Sequence, residues 1–220
     1  MDWGVITRNY HFLLAGLQLT FGLALVSTIG GFALGTIVGL GRLSSRGWIF
    51  WPCTLYVNLF RSLPIILVVF WFYFIVPIIT GKPIGDFFSV LVAFIFFEGA
   101  YFAEIIRAGI QSVPKGQVEA GYSTGLGYFK VMRHIVLPQA IKNMVPSMVS
   151  QCVIIFQDTS VAYVIGLKEF LRSVSLVDLR EFRSVELYTF AALVYLFICS
   201  TGAIMSRGIE KKRSQFGGFD

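Results

Sequence analysis

The sequence predicts an all-α polytopic membrane protein, with five spanning helices in a single domain over residues 1–220. Three observations predict it. Hydrophobic residues make up 56% of the chain and charged residues only 14%, where a soluble domain carries about a quarter charged. Mean hydropathy is +0.75, more apolar surface than a soluble fold of this size hides. The apolar residues also gather into five runs, each near the roughly 20 residues that cross a bilayer core. None alternates as barrel strands do, so helices are the spanning form.

The expected spans are residues 13–40, 56–79, 87–110, 139–167 and 187–207. The first is longer than a bilayer needs, which implies tilt or a bend. Its Gly31, Gly35 and Gly39 leave a groove at four-residue spacing, for packing either within the chain or against a second subunit. Asn58 and Arg61 stand at the start of the second span, before Pro64. The third holds Glu98 near its middle, Tyr101 on the same face, and Glu104 and Arg107 spaced to pair. The fourth carries Gln151 near its middle and Asp158 beyond it. No domain boundary, low-complexity stretch or internal repeat interrupts the series, and the missing repeat argues against a secondary transporter built from two related halves.

Charge orients the chain. One set of alternate connections holds Arg42 and Arg46, then Lys115, Lys130, Arg133 and Lys142, then Lys211, Lys212 and Arg213. The other holds Arg8, Lys82, Lys168, Arg172, Arg180 and Arg183, the last four offset by Glu169, Asp178, Glu181 and Glu186. The richer set belongs in the cytoplasm, which puts the N-terminus outside and the C-terminus inside. The net charge of +6 is explained by this flanking pattern, so nucleic-acid binding is not expected. The start, "MDWGVITRNYH", has no basic n-region ahead of a short apolar stretch, so no cleavable signal peptide is expected. Cys53, Cys152 and Cys199 lie in or beside apolar runs without a CxxC spacing and read as small buried hydrophobes.

Between spans three and four, residues 111–138 include the polar stretch "EAGYSTGLGYFKVMRHIVLP". Gly125 and Gly127 mark a break and a turn. The stretch therefore reads as a short helix, a turn and a second short amphipathic helix, with Pro138 opening the next element. Glu119, Ala120 and Gly121, then Gly125 after three residues, then Ile135, Leu137 and Pro138 after nine more, resemble the EAA motif of ABC importer permeases. Gly121 stands where the family carries a second alanine. "NLFRSLPIILVVFWFYFIVP", "FEGAYFAEIIRAGIQSVPKGQVEA" and "FQDTSVAYVI" are similar to the polar amino-acid subfamily, and most closely to glutamate/aspartate transport membrane subunits.

The resemblance implies a type I importer permease fold with a cytoplasmic coupling-helix loop, in a bacterial inner (cytoplasmic) membrane. The implied partners are a dimer of cytoplasmic ABC ATPases, a second permease, identical or a sister chain, and a periplasmic or lipid-anchored amino-acid-binding protein. Glu119, Ala120, Gly121, Gly125, Ile135, Leu137 and Pro138 are then the ATPase-coupling residues. The chain has no phosphate loop, since its one Gly-Lys pair, Gly81-Lys82, is followed by Pro83. No cofactor is expected in this chain, and ATP with Mg is expected on the partner.

Ionisable groups inside spans are costly, which makes each a functional candidate. Arg61, Glu98, Gln151 and Asp158 are the substrate-path candidates; the alternative is that they pair across helices and hold the bundle. Neither His11 nor His134 has a nucleophile placed beside it, and no metal-ligand spacing occurs, so no catalytic or metal site is expected. The expected function is the permease subunit of a glutamate/aspartate importer. The same role for histidine, arginine, glutamine or cystine is the alternative within the class, and a stand-alone channel or membrane enzyme is the alternative outside it.

Overall fold

The computed structural model describes residues 2–216, with side chains described to residue 208. Among the described residues there are helices and no strands. The elements are α1 (Gly4–Arg8), α2 (Tyr10–Gly41), α3 (Gly47–Arg61), α4 (Ile65–Phe70), α5 (Val76–Thr80), α6 (Asp86–Gln111), α7 (Lys115–Ser123), α8 (Tyr128–Val131), α9 (Leu137–Asp158), α10 (Phe170–Glu181) and α11 (Ser184–Phe216). The helices α2 and α6, and the runs Tyr128–Ile165 and Ser184–Gly208, are each long and apolar enough to cross a membrane. The side chains of Lys211, Lys212 and Arg213, used above to orient the chain, lie outside the described residues.

The expected second span differs. Gly47–Arg61 and Ile65–Thr80 meet at a bend of 107°, the geometry of a broken span or a re-entrant loop and not of one continuous helix. Pro64 has extended backbone (φ −63°, ψ 135°) and no N–H to donate to an earlier turn, and it biases Leu63 away from helix. The Ser62 hydroxyl donates to the Asn58 carbonyl at 2.7 Å, helping close α3.

Two wide-turn π stretches, Trp71–Ile75 and Met132–Val136, each lie just ahead of a proline, Pro77 and Pro138. The extra residue in a π turn accommodates the ring and the missing donor. Pro138 therefore opens no separate element: the run from Tyr128 passes through it into α9. The Gln139 amide donates to the Ile135 carbonyl at 2.9 Å across this irregular turn.

Helix α6 is the hub of the bundle, packed against α2, α3, α4 and α9. Its contact with α2 is the most extensive and is made by the small-residue stripe. A β-carbon on Gly35 would lie 2.5 Å from Phe102 Cβ and 2.9 Å from Ala103 N, and one on Gly39 would lie 2.8 Å from the Ala103 carbonyl. The glycine groove is thus filled within the chain. Leu23, Val68, Val69, Val90, Ala93 and Phe94 form the main core. Leu25, Ile29 and Ile37 of α2 and Leu196, Phe197 and Ile204 of α11 point outward, as lipid-facing residues do.

The connection between the fourth and fifth spans, expected as a loop, contains α10. The Glu169 side chain caps it, accepting from Leu171 N at 2.8 Å and Arg172 N at 2.7 Å. Phe170, Val174 and Val177 bury its inner face with Leu13 of α2 and Leu187 of α11. Gly16 of α2 lies so close beneath Ser173 that no β-carbon fits there. Asp2, Arg8 and Glu181 tie α1 to the same end of the bundle.

Candidate functional site

The connector between α6 and α9 folds as an elbow of two short helices joined by a tight turn. Helix α7 ends in a left-handed turn: Gly125 has φ +81°, its N–H donates to Tyr122 O at 2.9 Å, and Leu126 N–H donates to Gly121 O at 3.4 Å. This paired closure satisfies the last carbonyls of the helix and calls for glycine at the left-handed position. Gly127 adopts ordinary extended backbone and serves as the N-cap of α8.

The elbow is seated on the bundle. Val113, Val131, Val136, Ala140 and Met144 form a buried cluster with Ile106 of α6, and Val118, Leu126 and Ile135 pack on it. Asn143 of α9 donates to the Ser112 hydroxyl at 2.7 Å, at the end of α6. Of the seven motif residues, Gly121 is buried and Ile135 half-buried, while Glu119, Ala120, Gly125, Leu137 and Pro138 are exposed. Tyr122, Tyr128 and Phe129, which the sequence analysis did not single out, are exposed with them, Phe129 at 83%.

At the level of the spans, the structure brings two of the four path candidates together. Gln151 of α9 donates to Glu98 Oε2 at 2.7 Å. Glu98 is wholly buried, and its Oε1, like the Ser27 hydroxyl of α2, has no hydrogen-bond partner among the described residues. Asp158, half-buried at the end of α9, makes no hydrogen bond to that pair but lies within electrostatic reach of Glu98 and of Tyr101. Arg61 turns instead toward α6, with its guanidinium 5.4 Å from the Tyr101 ring centre and 3.7 Å from Glu104 Oε2. Glu104 pairs with Arg107, as their spacing predicts, and also with Arg42 from the end of α2. Among the described residues, no group of three or more His, Cys, Asp or Glu side chains is placed to hold a metal.

Comparison with known proteins bears directly on this architecture. Residues 31–215 match the family described as the binding-protein-dependent transport system inner membrane component. The chain is 38% identical over 218 residues to the glutamate/aspartate import permease protein GltK of Escherichia coli O6:H1, covering 96% of this chain and 97% of that one. It is 31% identical over 212 residues to the arginine transport system permease protein ArtQ of Bacillus subtilis, again covering 96% and 97%. A crystal structure of an amino acid ABC transporter with histidines has a chain that superposes with a TM-score of 0.91 at 27% identity, over 96% of this chain and 99% of that one. A polytopic helical bundle with an elbow on its third connection, matched over nearly its full length in sequence and in shape, places this chain in the family of binding-protein-dependent transport system inner membrane components.

Proposed function

We propose that this chain is the membrane-spanning permease subunit of an ATP-driven amino-acid importer, with glutamate and aspartate as its cargo. The observation that carries the reading is the elbow: the EAA pattern in register, a left-handed turn at Gly125, and exposed aromatics on a base packed into α6 and α9. A partner ATPase gripping Glu119, Ala120 and the neighbouring aromatic surface would move the ends of two spans together, because the elbow cannot flex independently of them. ATP and Mg are handled by that partner. Hydrolysis chemistry is assigned to the ATPase dimer and conduction to this chain, consistent with its relatives, which are permease subunits.

The elbow then lies in the cytoplasm of a bacterial inner membrane, with the N-terminus and α10 outside. There α10 and its flanking loops form the landing surface for a loaded periplasmic or lipid-anchored binding protein. A second permease, identical or a sister chain, completes the pathway, since one five-span bundle encloses none of adequate width. Arg61, Glu98, Gln151 and Asp158 are the groups proposed to contact or shape the path. The buried Glu98–Gln151 pair fixes α6 to α9, so these two set the geometry of the path wall.

The preference for glutamate and aspartate follows the 38% relative, while the arginine permease at 31% represents the alternative. Uptake of radiolabelled glutamate by cells expressing the complete importer tests it. Competition by aspartate and none by histidine, arginine, glutamine or cystine is the expected result. Displacement by one of those four in place of aspartate would reassign the cargo.

A further inference from the structure

The turn between α10 and α11 holds a residue in a conformation that its side chain disfavours. Phe182 closes α10 with left-handed backbone (φ 53°, ψ 48°). Among the described residues, the other positions with positive φ are glycines: Gly81, Gly85, Gly125 and Gly166. A β-carbon is strained in that region, and a bulky side chain is rare there. The same residue leaves its ring 84% exposed. Glycine would close the helix without strain and without an apolar ring in solvent. Closing the turn therefore does not account for a phenylalanine.

The strained residue is held from both sides. Its N–H donates to the Asp178 carbonyl at 2.8 Å. The Ser184 hydroxyl donates to the Asp178 carboxylate at 2.9 Å, which ties the start of α11 to the last turn of α10. Val177 and Leu187 bury the base of the turn. Strain that the surroundings over-determine in this way marks functional positions. Leu179 and Val185 are exposed on either side of the ring, and so are Arg180 and Arg183. Arg180 is engaged by Asn9 at 3.3 Å and by the Phe12 ring at 5.4 Å. Arg183 has Asp2 and Glu186 within electrostatic reach but forms no ion pair among the described residues. Helix α2 carries Leu13 beneath α10 and Gly39 beside Ile106 at the base of the elbow, so this tip stands at the opposite end of the bundle from the elbow.

We propose that Phe182 is the anchor by which the permease docks its amino-acid-binding protein: the ring enters an apolar pocket on that protein, and Arg183 meets a carboxylate on the pocket's rim. This rests on the importer reading above and adds to it the side chain that carries the contact. A fluid bilayer accepts a ring in any direction and gains nothing from a fixed one. A shaped pocket gains from a side chain already held in its bound direction, because less freedom is lost on binding. A rigid aromatic beside an arginine is also the composition that dominates binding energy at protein contacts.

The test is the dissociation constant of glutamate-loaded binding protein for the assembled importer in nanodiscs, with melting temperature and ATPase co-purification read in parallel. Phe182→Gly removes the strain together with the ring. It is expected to melt at or above the wild-type temperature and to dock at least about tenfold more weakly. Phe182→Tyr keeps the ring and is expected to dock within about threefold of wild type. Phe182→Cys, in a background with Cys53, Cys152 and Cys199 changed to serine, is expected to react with a membrane-impermeant maleimide and to be protected by loaded binding protein. Unchanged docking of Phe182→Gly overturns the proposal. So does a Phe182→Gly complex that melts well below wild type, which would make the ring a structural prop. A Phe182→Cys complex that melts normally yet does not react would place the ring in lipid, and overturns it too. In each of these cases a wild-type complex that holds its ATPase and binds the loaded protein leaves the importer reading standing. A wild type that recruits neither partner overturns both.

Discussion

Gly121 lies directly beneath Ile135: a β-carbon built on it would stand 2.5 Å from Ile135 Cδ1 and 3.1 Å from Val131 Cγ2. The motif's third position is thus a point at which α7 rests closely on the run entering α9. The atom in the way is the far end of a rotatable side chain, and alanine gains about 1 kcal/mol of helix propensity over glycine. Gly121→Ala is therefore expected to melt within a few degrees of wild type and to transport. Gly121→Leu must lift α7 off its seat and is expected to lose ATPase co-purification. Parallel melting and pull-down of the two variants checks this, and equal behaviour of Ala and Leu would refute the seat.

The α2–α6 contact makes a sharper steric prediction. At Gly35 the obstructing atoms include Ala103 N and the Gly99 carbonyl, both at 2.9 Å, and backbone cannot rotate away. Gly35→Leu is expected to cost on the order of 1–3 kcal/mol, read as a lowered melting temperature in detergent. Gly22, with nothing within 4 Å of a built β-carbon, is the control: Gly22→Leu is expected to leave melting unchanged.

The Glu98–Gln151 hydrogen bond supplies the polar counterpart. Gln151→Leu leaves both Glu98 carboxylate oxygens buried without a partner among the described residues, since Oε1 already has none there. A loss of about 1–3 kcal/mol is expected, and the double variant Glu98→Leu/Gln151→Leu is expected to recover most of it. A double variant less stable than Gln151→Leu alone would show that the pair is held by something other than mutual satisfaction.

Glu169, outside the spans, predicts a pH dependence. Burial is the dominant influence and raises its carboxyl to about 7, against the lowering effect of the Leu171 and Arg172 N–H groups and Thr20. The ordinary value is 4.5. Between the two, the folded protein keeps a proton that the unfolded chain has lost. The contribution of Glu169 to stability is thus fully present below pH 4.5 and is lost as pH rises to about 7, a change on the order of 3 kcal/mol. Glu169→Gln retains an acceptor for the cap and is expected to flatten that slope in melting curves taken from pH 4.5 to 8. An unchanged slope would refute the assignment.

Much of this architecture is legible in the sequence. Spans one and three emerge within a few residues of α2 and α6 because long apolar runs admit one reading. The break in span two is less so: Pro64 is visible, but a proline inside an apolar run can kink a helix as easily as end it. Helix α10 hides in a stretch of mixed polarity, although Glu169 before Phe170, Val174 and Val177 is a cap ahead of helical spacing. The elbow is readable because its chemistry is local, with glycine where the left-handed turn falls. The Arg42–Glu104 contact joins residues 62 apart, and no local pattern announces it. Phe129 and its aromatic neighbours read from sequence as the apolar face of a helix, and only the fold shows that face uncovered.

The role proposed for the elbow is to transmit ATPase motion to the spans. Gly125→Asp tests it most directly, because nothing lies within 4 Å of a β-carbon there. The folding cost is then only that of left-handed backbone, about 1 kcal/mol, while the exposed contact face gains a charge. The measurement is ATP hydrolysis in proteoliposomes of the complete importer, titrated with glutamate-loaded binding protein. Strong stimulation of wild type is expected, with a Gly125→Asp complex that melts normally yet is not stimulated. Equal stimulation of the two, or a wild-type permease that purifies without any ATPase, would contradict it.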